Sequence, residues 1–496
     1  MPRRAAPWRF VVVVALLAIV SAGFAALCYA HGWTLYYGDA QAHLDNARRI
    51  IDSRTPGYYQ IGTAWLPLPQ VLMLPLVWNM RLWQTGIAGV VPSAICFVLA
   101  GSFLWLSARR AFQNEAAAWG ALLVFALNPN LLYLQSTPMT EPMFFGALMA
   151  VLYFTLRYAE EQSRGALICA AFASLAASLT RYEGWFLIPF TAGYVLLVSR
   201  ERRIQRAFLF GIIASAGPIW WLAHNGWVYG NALEWLNGPG SPKGIEGAHK
   251  HPGDHDWGLA GLYFRTAARD VIGAAPFVIA GLGLVGVMWR RAFWPCALLL
   301  LPPVFYIWSI HSGSIPIHVP ELWPHSYYNT RYGLAALPLL AFCAGGLVLC
   351  APKFRPAAAL VVALAAAVPW LISPKPGAWL CWKESQVNSV DRRAWTAEAA
   401  AFLAREYRGG GILASSGDVT GIFCRAGIPL RDTLNDGNYP EWSLAVDAPT
   451  PLLNEQWAVA QAGDTVSRTV ARSRRYVLWR RIVAGSSPAI EIWRRR

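Results

Sequence analysis

Charge is scarce in this chain. Asp, Glu, Lys and Arg make up 14% of its 496 residues, against 56% hydrophobic ones, whereas a soluble domain of this length has about a quarter of its residues charged. An ordinary soluble fold is thereby excluded. Also missing are a glycine-rich phosphate loop of the Walker type, cysteines or histidines at a zinc-module spacing and a repeat at solenoid period. These absences set aside a P-loop nucleotide site, a zinc module and a repeat scaffold.

What the chain has instead is apolar length. About eleven runs of roughly 17 to 23 residues are long enough to cross a hydrocarbon core of about 30 Å. They span 9–30, 86–107, 116–134, 142–158, 165–179, 185–199, 207–223, 271–289, 293–310, 333–350 and 356–373. The expected fold is an α-helical polytopic membrane protein. The first run also fits a cleaved leader, since Cys28 and Ala30 are small residues before His31, but the many further runs favour a retained anchor.

Positive residues beside a span are retained on the cytoplasmic side. Arg3, Arg4 and Arg9 precede the first run, and Arg109 with Arg110, Arg157 with Arg164, residues 200–206, Arg290 with Arg291, and Lys353 with Arg355 fall in every second connection thereafter. The amino terminus is therefore expected inside and the carboxyl terminus outside, in a multi-pass inner-membrane protein. The same residues account for much of the net charge of +15 through the anionic lipids they face, so membrane lipids are the expected partners and nucleic acid is not.

Cys96, Cys169, Cys296, Cys343 and Cys350 fall in apolar runs, where a thiol behaves as a small apolar residue. Cys381 and Cys424 lie beyond the last run, where an oxidising compartment permits a disulfide, and the sequence leaves their pairing open.

On this topology residues 1–373 form the multi-span domain. Its outer segments, 31–85, 224–270 and 311–332, are far longer than the inner connections, and long loops in a compact fold usually carry function. Within the first, a broken Trp- and Pro-rich stretch reads as an interfacial helix with Trp65, Trp78 and Trp83 at headgroup depth. Residues 374–496 open with an amphipathic helix, 394–405, and continue with strand-like pieces at 411–414 and 475–479 between turns. They read as a small extracytoplasmic α/β domain.

Chemistry-bearing residues gather in the outer segments. In Gly38-Asp39-Ala40-Gln41-Ala42-His43, Asp39 and His43 share one helical face; the plain reading has Asp39 capping a helix that begins at Ala40, with His43 and Asp45 solvated. In Thr137-Pro138-Met139-Thr140-Glu141-Pro142, Thr140 suits an N-cap and Glu141 the positive end of a helix dipole. Thr180-Arg181-Tyr182-Glu183-Gly184 places Arg181 and Glu183 in a very short connection, as a structural ion pair or as a phosphate or carboxylate site. In Tyr327-Tyr328-Asn329-Thr330-Arg331-Tyr332, the plain reading has Arg331 snorkelling to the outer headgroups among belt tyrosines. His249-Lys250-His251-Pro252-Gly253-Asp254-His255-Asp256 carries metal-ligand residue types, but Pro and Gly interrupt it and a polar loop is the better reading.

A carboxylate in a long first outer loop, many spans and an outer C-terminal domain resemble the GT-C superfamily of glycosyltransferases, and the chain is similar to the protein O-mannosyltransferases and the lipid A aminoarabinose transferases. The likeness of architecture covers nearly the whole chain; that of motifs covers short stretches. It implies a polyprenyl-phosphate-linked sugar donor and a lipid, glycan or protein acceptor. In that family the first-loop acid acts on the acceptor, and by position it maps onto Asp39. Glu141 is then a second acid of the site, while His43, Arg181, Glu183, Tyr328, Asn329 and Arg331 become substrate-binding candidates. Many members have two adjacent acids where this chain has Gly38-Asp39-Ala40, so a divalent metal is possible but not indicated. The competing classes are a lipid or glycan transporter, which usually carries charge at mid-membrane, and a non-enzymatic assembly protein. The near absence of mid-span charge favours the enzyme.

Overall fold

The structure, a computed structural model, describes residues 7–496 apart from 242, 243, 245, 246, 248, 249, 418 and 448–452. Arg3, Arg4 and His249 lie outside the described residues. The chain divides into two compact units: Met1–His31, Thr63–Leu68 and Pro92–Glu384 form one, and Gly32–Gly62, Pro69–Val91 and Ser385–Arg496 the other.

The first unit is a bundle of apolar helices, and each of the apolar runs is helical over most of its length. Among the described residues, seven helices cross a membrane by length and composition alone: Trp8–Ala30, Ile87–Phe112, Glu141–Glu161, Arg203–Tyr229, Phe293–His311, Thr330–Cys350 and Arg355–Ile372; counting each of two bent pairs as one span raises this to nine. The chain is a multi-pass membrane protein. Arg164–Ser178 and Glu183–Val198 have only 15 and 16 residues, short of the roughly 20 a straight crossing needs. The expected eleven or so is reached only if these two also cross.

The bent pairs show how irregular backbone is tolerated inside the bundle. Glu115–Ala126 turns by 67° into Pro129–Gln135, and Trp257–Ile272 turns by 102° into Ala274–Arg290. A backbone carbonyl released by such a break has no water to bind in an apolar setting and needs a protein donor. Asn128 and Asn130, at the first break, both donate to the Val271 carbonyl at the second, at 3.0 and 2.9 Å. Asn128 also accepts from the Leu131 amide at 3.0 Å, which caps the helix that Pro129 begins.

Ala274–Arg290 and Leu337–Leu347 pack backbone to backbone. A methyl group on Gly283 or Gly286 would overlap the carbonyls of Cys343 and Gly346, the small-residue packing that lets backbones approach where lipid offers no hydrophobic drive. Arg9 pairs with Glu115, Arg110 with Glu160 and Glu161, and Arg157 with Glu161, while the Arg200 amide binds Gln162. Arg9, Arg110 and Arg200 are thus held in contacts between connections.

The second unit carries a five-stranded mixed sheet of order β2-β1-β3-β5-β4: β1 is Ile412–Ala414, β2 Thr433–Leu434, β3 Trp457–Gln461, β4 Tyr476–Ile482 and β5 Ile490–Arg495. β1 lies parallel to β2 and β3, with Leu413 beside Leu434 and Ala458, while β5 is antiparallel to β3 and β4. Leu413, Leu434, Ala458, Val466, Val470 and Tyr476 share its core. Val466 and Val470, four apart on Thr465–Ser473, bury one face of that helix and leave Arg468 exposed. The expected amphipathic helix is present as Val390–Glu406.

Two expectations are corrected here. Trp78 is 73% exposed, but Trp83 is fully buried rather than laid at a headgroup surface. The helix after Tyr37 starts at Gly38 rather than Ala40, which puts Asp39 inside its first turn, where it complements the dipole.

Candidate functional site

Glu141, Arg181, Glu183 and Arg331, drawn from three separate sequence motifs, meet in one charged network within the first unit. The fold delivers them by simple means. Glu141 opens the helix Glu141–Glu161 and Glu183 opens Glu183–Val198, each with its carboxylate in a first turn, where the helix dipole favours it. Arg331 rides on a tight 3-10 turn, Thr330–Ala336, entered through Asn329 in left-handed conformation at φ 56°.

A single oxygen, Oε1 of Glu141, accepts from Arg331 Nε at 3.1 Å and from Arg181 at 3.3 Å. Arg181 Nε also donates to Glu183 at 2.8 Å, and its two terminal nitrogens reach the Thr140 hydroxyl and the Tyr306 hydroxyl, each at 2.7 Å. The Tyr306 hydroxyl in turn donates to Glu183. The Thr140 side chain, suited by sequence to an N-cap, makes no cap bond and serves Arg181 instead. Arg331 reaches a further carboxylate, Glu384, at 3.2 Å.

Tyr332 lies against both cations, with its ring centre 4.8 Å from the Arg331 guanidinium carbon and 5.2 Å from that of Arg181. Its other stacking partner is Tyr306, at 4.8 Å. These groups surround a small cavity with Phe144 and Phe145. Glu141 is 4% exposed, and its second oxygen, Oε2, is buried with no hydrogen-bond partner among the described residues.

The remaining candidates lie elsewhere. Asp39 and His43 belong to the second unit, on the helix Gly38–Ile51, where Asp39 is partly exposed. His43 and Asp45, read by sequence as solvated, are both buried. Asp45 accepts from the Gln41 amide at 2.8 Å and the Trp83 indole at 3.0 Å. Burial pushes its carboxyl up to about 7, against the pull of those two donors and of Arg49 and Arg392. Tyr328 is 41% exposed and pairs its backbone with His318, and Asn329 turns its amide to the Pro316 carbonyl at 3.0 Å. Both therefore shape the turn leading to Arg331.

In the His249–Asp256 stretch, Asp254 binds His255 at 2.7 Å and Asp256 caps the helix Trp257–Ile272. Among the described residues no group of three or more His, Cys, Asp or Glu is placed to hold a metal.

Residues 78–221, less than half of the chain, match the family model described as dolichyl-phosphate-mannose-protein mannosyltransferase. No curated protein sequence matches. Among solved structures, ArnT from Cupriavidus metallidurans bound to undecaprenyl phosphate is similar at 16% identity with a TM-score of 0.54, covering 98% of each chain. The apo state of that protein gives 15% and 0.53, over 95% of this chain and 97% of that one. The apo oligosaccharyltransferase of Archaeoglobus fulgidus gives 13% and 0.50, over 92% and 70%. This is the GT-C fold.

On this GT-C fold, the matched 78–221 segment contains Glu141, Arg181 and Glu183 but neither Asp39 nor Arg331. Two members of the charged network escape a reading by sequence. Tyr306 lies inside an apolar helix, where its hydroxyl is the one available signal; Glu384 follows the last apolar helix in Leu380–Val387. An acid so near a membrane segment marks a paired or functional group, but its partners, Thr330 and Arg331, are 54 and 53 residues earlier. Chemically, the network offers a fixed carboxylate oxygen at Glu141 and two oriented guanidinium planes, all shielded from bulk water, where electrostatic interactions are strong.

Proposed function

We propose that this chain is a membrane glycosyltransferase that moves a sugar from a polyprenyl-phosphate-linked donor to a lipid, glycan or protein acceptor at the outer face of the inner membrane. The observation that carries the reading is the GT-C likeness over 98% of both chains to a protein bound to undecaprenyl phosphate. In this reading the amino terminus is cytoplasmic and the C-terminal domain, 374–496, is extracytoplasmic. Asp39 takes the acceptor proton, and Glu141 is a second acid of the site. Arg331 or Arg181 faces the departing phosphate, with His43, Glu183, Tyr328 and Asn329 around the substrates.

Transfer from a lipid phosphate needs a base for the acceptor and a cation where negative charge develops on the leaving group. A partly exposed carboxylate such as Asp39 suits the first task. For the second, an incoming phosphate competes with carboxylates that already hold both guanidiniums, so donor binding is coupled to rearrangement of the Glu141 pairs.

The test is transfer of labelled sugar from a panel of polyprenyl-phosphate sugars by the purified wild type and Asp39→Asn, with membrane extract as acceptor source. Loss of a general base costs about 10² to 10⁴ in rate. Turnover by wild type alone supports the reading, equal turnover removes Asp39 from the base role, and absence of transfer or donor hydrolysis with every donor rejects the function.

A further inference from the structure

We propose that Glu384 is a positioning residue: it fixes the Thr330–Arg331 turn and so holds the Arg331 guanidinium against Glu141. Its consequence for turnover rests on the glycosyltransferase reading above.

The geometry is specific. Glu384 is 2% exposed, and a carboxylate so buried is stable only when its oxygens are paired. Oε2 accepts the Thr330 backbone N–H at 2.7 Å and also the Thr330 hydroxyl. Oε1 accepts from Arg331 at 3.2 Å. The Thr330 amide opens a 3-10 turn, where the first N–H groups have no acceptor within the turn itself. Glu384 supplies that acceptor from a distant part of the chain.

A guanidinium is planar, so fixing two of its nitrogens fixes the plane. Arg331 is held on one edge by Glu384 and through Nε by Glu141. Glu384 is itself mounted on the bundle: the Cys381 amide of its helix donates to Asn130 at 2.8 Å, and Asn130 holds the Val271 carbonyl. Trp379, just before that helix, packs on Phe24 at 5.3 Å. The carboxylate therefore ties the turn bearing Arg331 to the helix break at Val271.

Glu384→Gln is nearly isosteric. Its carbonyl oxygen still accepts a donor from Thr330, but its amide presents N–H groups to a guanidinium that is itself all donor. Arg331 is then released on that edge while the fold is kept. Glu384→Asp keeps the charge on a shorter arm, and Thr330→Val removes the hydroxyl bond alone.

The experiment uses the full chain in lipid nanodiscs and three readouts: modification of Arg331 by phenylglyoxal, read by peptide mass spectrometry; hydrogen exchange at the Thr330 amide; and kcat and KM for the donor. In Glu384→Gln, Arg331 is expected to be modified several-fold faster than in wild type. kcat falls about 10- to 100-fold, as for a misplaced catalytic group, with donor KM within about twofold. Glu384→Asp recovers part of both effects. Unchanged Arg331 labelling and unchanged Thr330 exchange in both Glu384 variants overturn the proposal, as does a fall in kcat no larger than the loss of folded protein. A wild type that transfers from no lipid-phosphate sugar defeats the glycosyltransferase reading instead, and labelling with exchange still decides the role of Glu384.

Discussion

Glu141 and Arg331 stand 190 residues apart in the chain and meet through one carboxylate oxygen, at 3.1 Å, which Arg181 shares. The second oxygen of that carboxylate has no hydrogen-bond partner among the described residues, so the acid that binds the two guanidiniums together also keeps one acceptor in reserve.

Glu141→Ala should be strongly destabilising. It leaves the Arg331 and Arg181 guanidiniums without their common counter-charge, and breaking a buried ion pair costs about 3 to 5 kcal/mol. Glu141→Gln keeps an acceptor and should lose less. Melting of the detergent-purified proteins checks the order; equal melting of wild type and Glu141→Ala would show that the network contributes nothing to stability.

Arg181→Lys is not a conservative change at this position. A lysine ammonium has no fork to serve Glu183, Glu141, Thr140 and Tyr306 from one plane, and each hydrogen bond lost by a charged group is worth about 1.5 to 3 kcal/mol. We expect a lower melting temperature and a drop in transfer of at least about tenfold. Wild-type transfer by this variant would leave Arg181 without a role in the reaction.

Asp45 makes stability depend on pH in a definite direction. Its folded carboxyl titrates near 7, from an ordinary 3.8, chiefly through burial. Between those values the folded state binds more protons than the unfolded one, so this group lowers stability as pH rises from about 4 to about 7. Asp45→Asn removes that slope. Melting at pH 5 and pH 8 should show a smaller difference in the variant than in wild type, with the gain at pH 8; equal slopes would mean that Asp45 stays ionised in the fold.

Gly283→Leu should disrupt the close contact of Ala274–Arg290 with Leu337–Leu347. Overpacking typically costs about 1 to 3 kcal/mol, and here the obstructing atoms are backbone, the Cys343 carbonyl and the Leu347 nitrogen, which cannot rotate away. Thermal melting in detergent should fall clearly below wild type. A variant at Gly281, where nothing lies within 4 Å of a new methyl group, serves as the control and should melt with wild type.

Several features of this protein are local and therefore written in the chain itself. Apolar length marks the helices because each must hide its own backbone polar groups from lipid, whatever its neighbours are. The basic connections could be paired off by counting spans, and ion pairs such as Arg110–Glu160 tie some of them together. Glu141, Arg181, Glu183 and Arg331 stand out because charge beside an apolar run is costly unless it is used. Their encounter could not be read in advance. It depends on which helices pack together and on how two broken helix pairs bend, and no periodicity encodes either.

The same holds for the residues that complete the network. Tyr306 looks like one more aromatic in an apolar helix until its hydroxyl is seen between Arg181 and Glu183. Asp45 looks solvated on an amphipathic helix until the Trp83 indole covers it. Hydropathy records only whether a side chain prefers water, so the sequence determined that this chain crosses a membrane and where its charges are rare. Only the tertiary structure decided which of those charges neutralise one another, because a buried ion pair is made by atoms brought within about 3 to 4 Å from positions that share no local pattern.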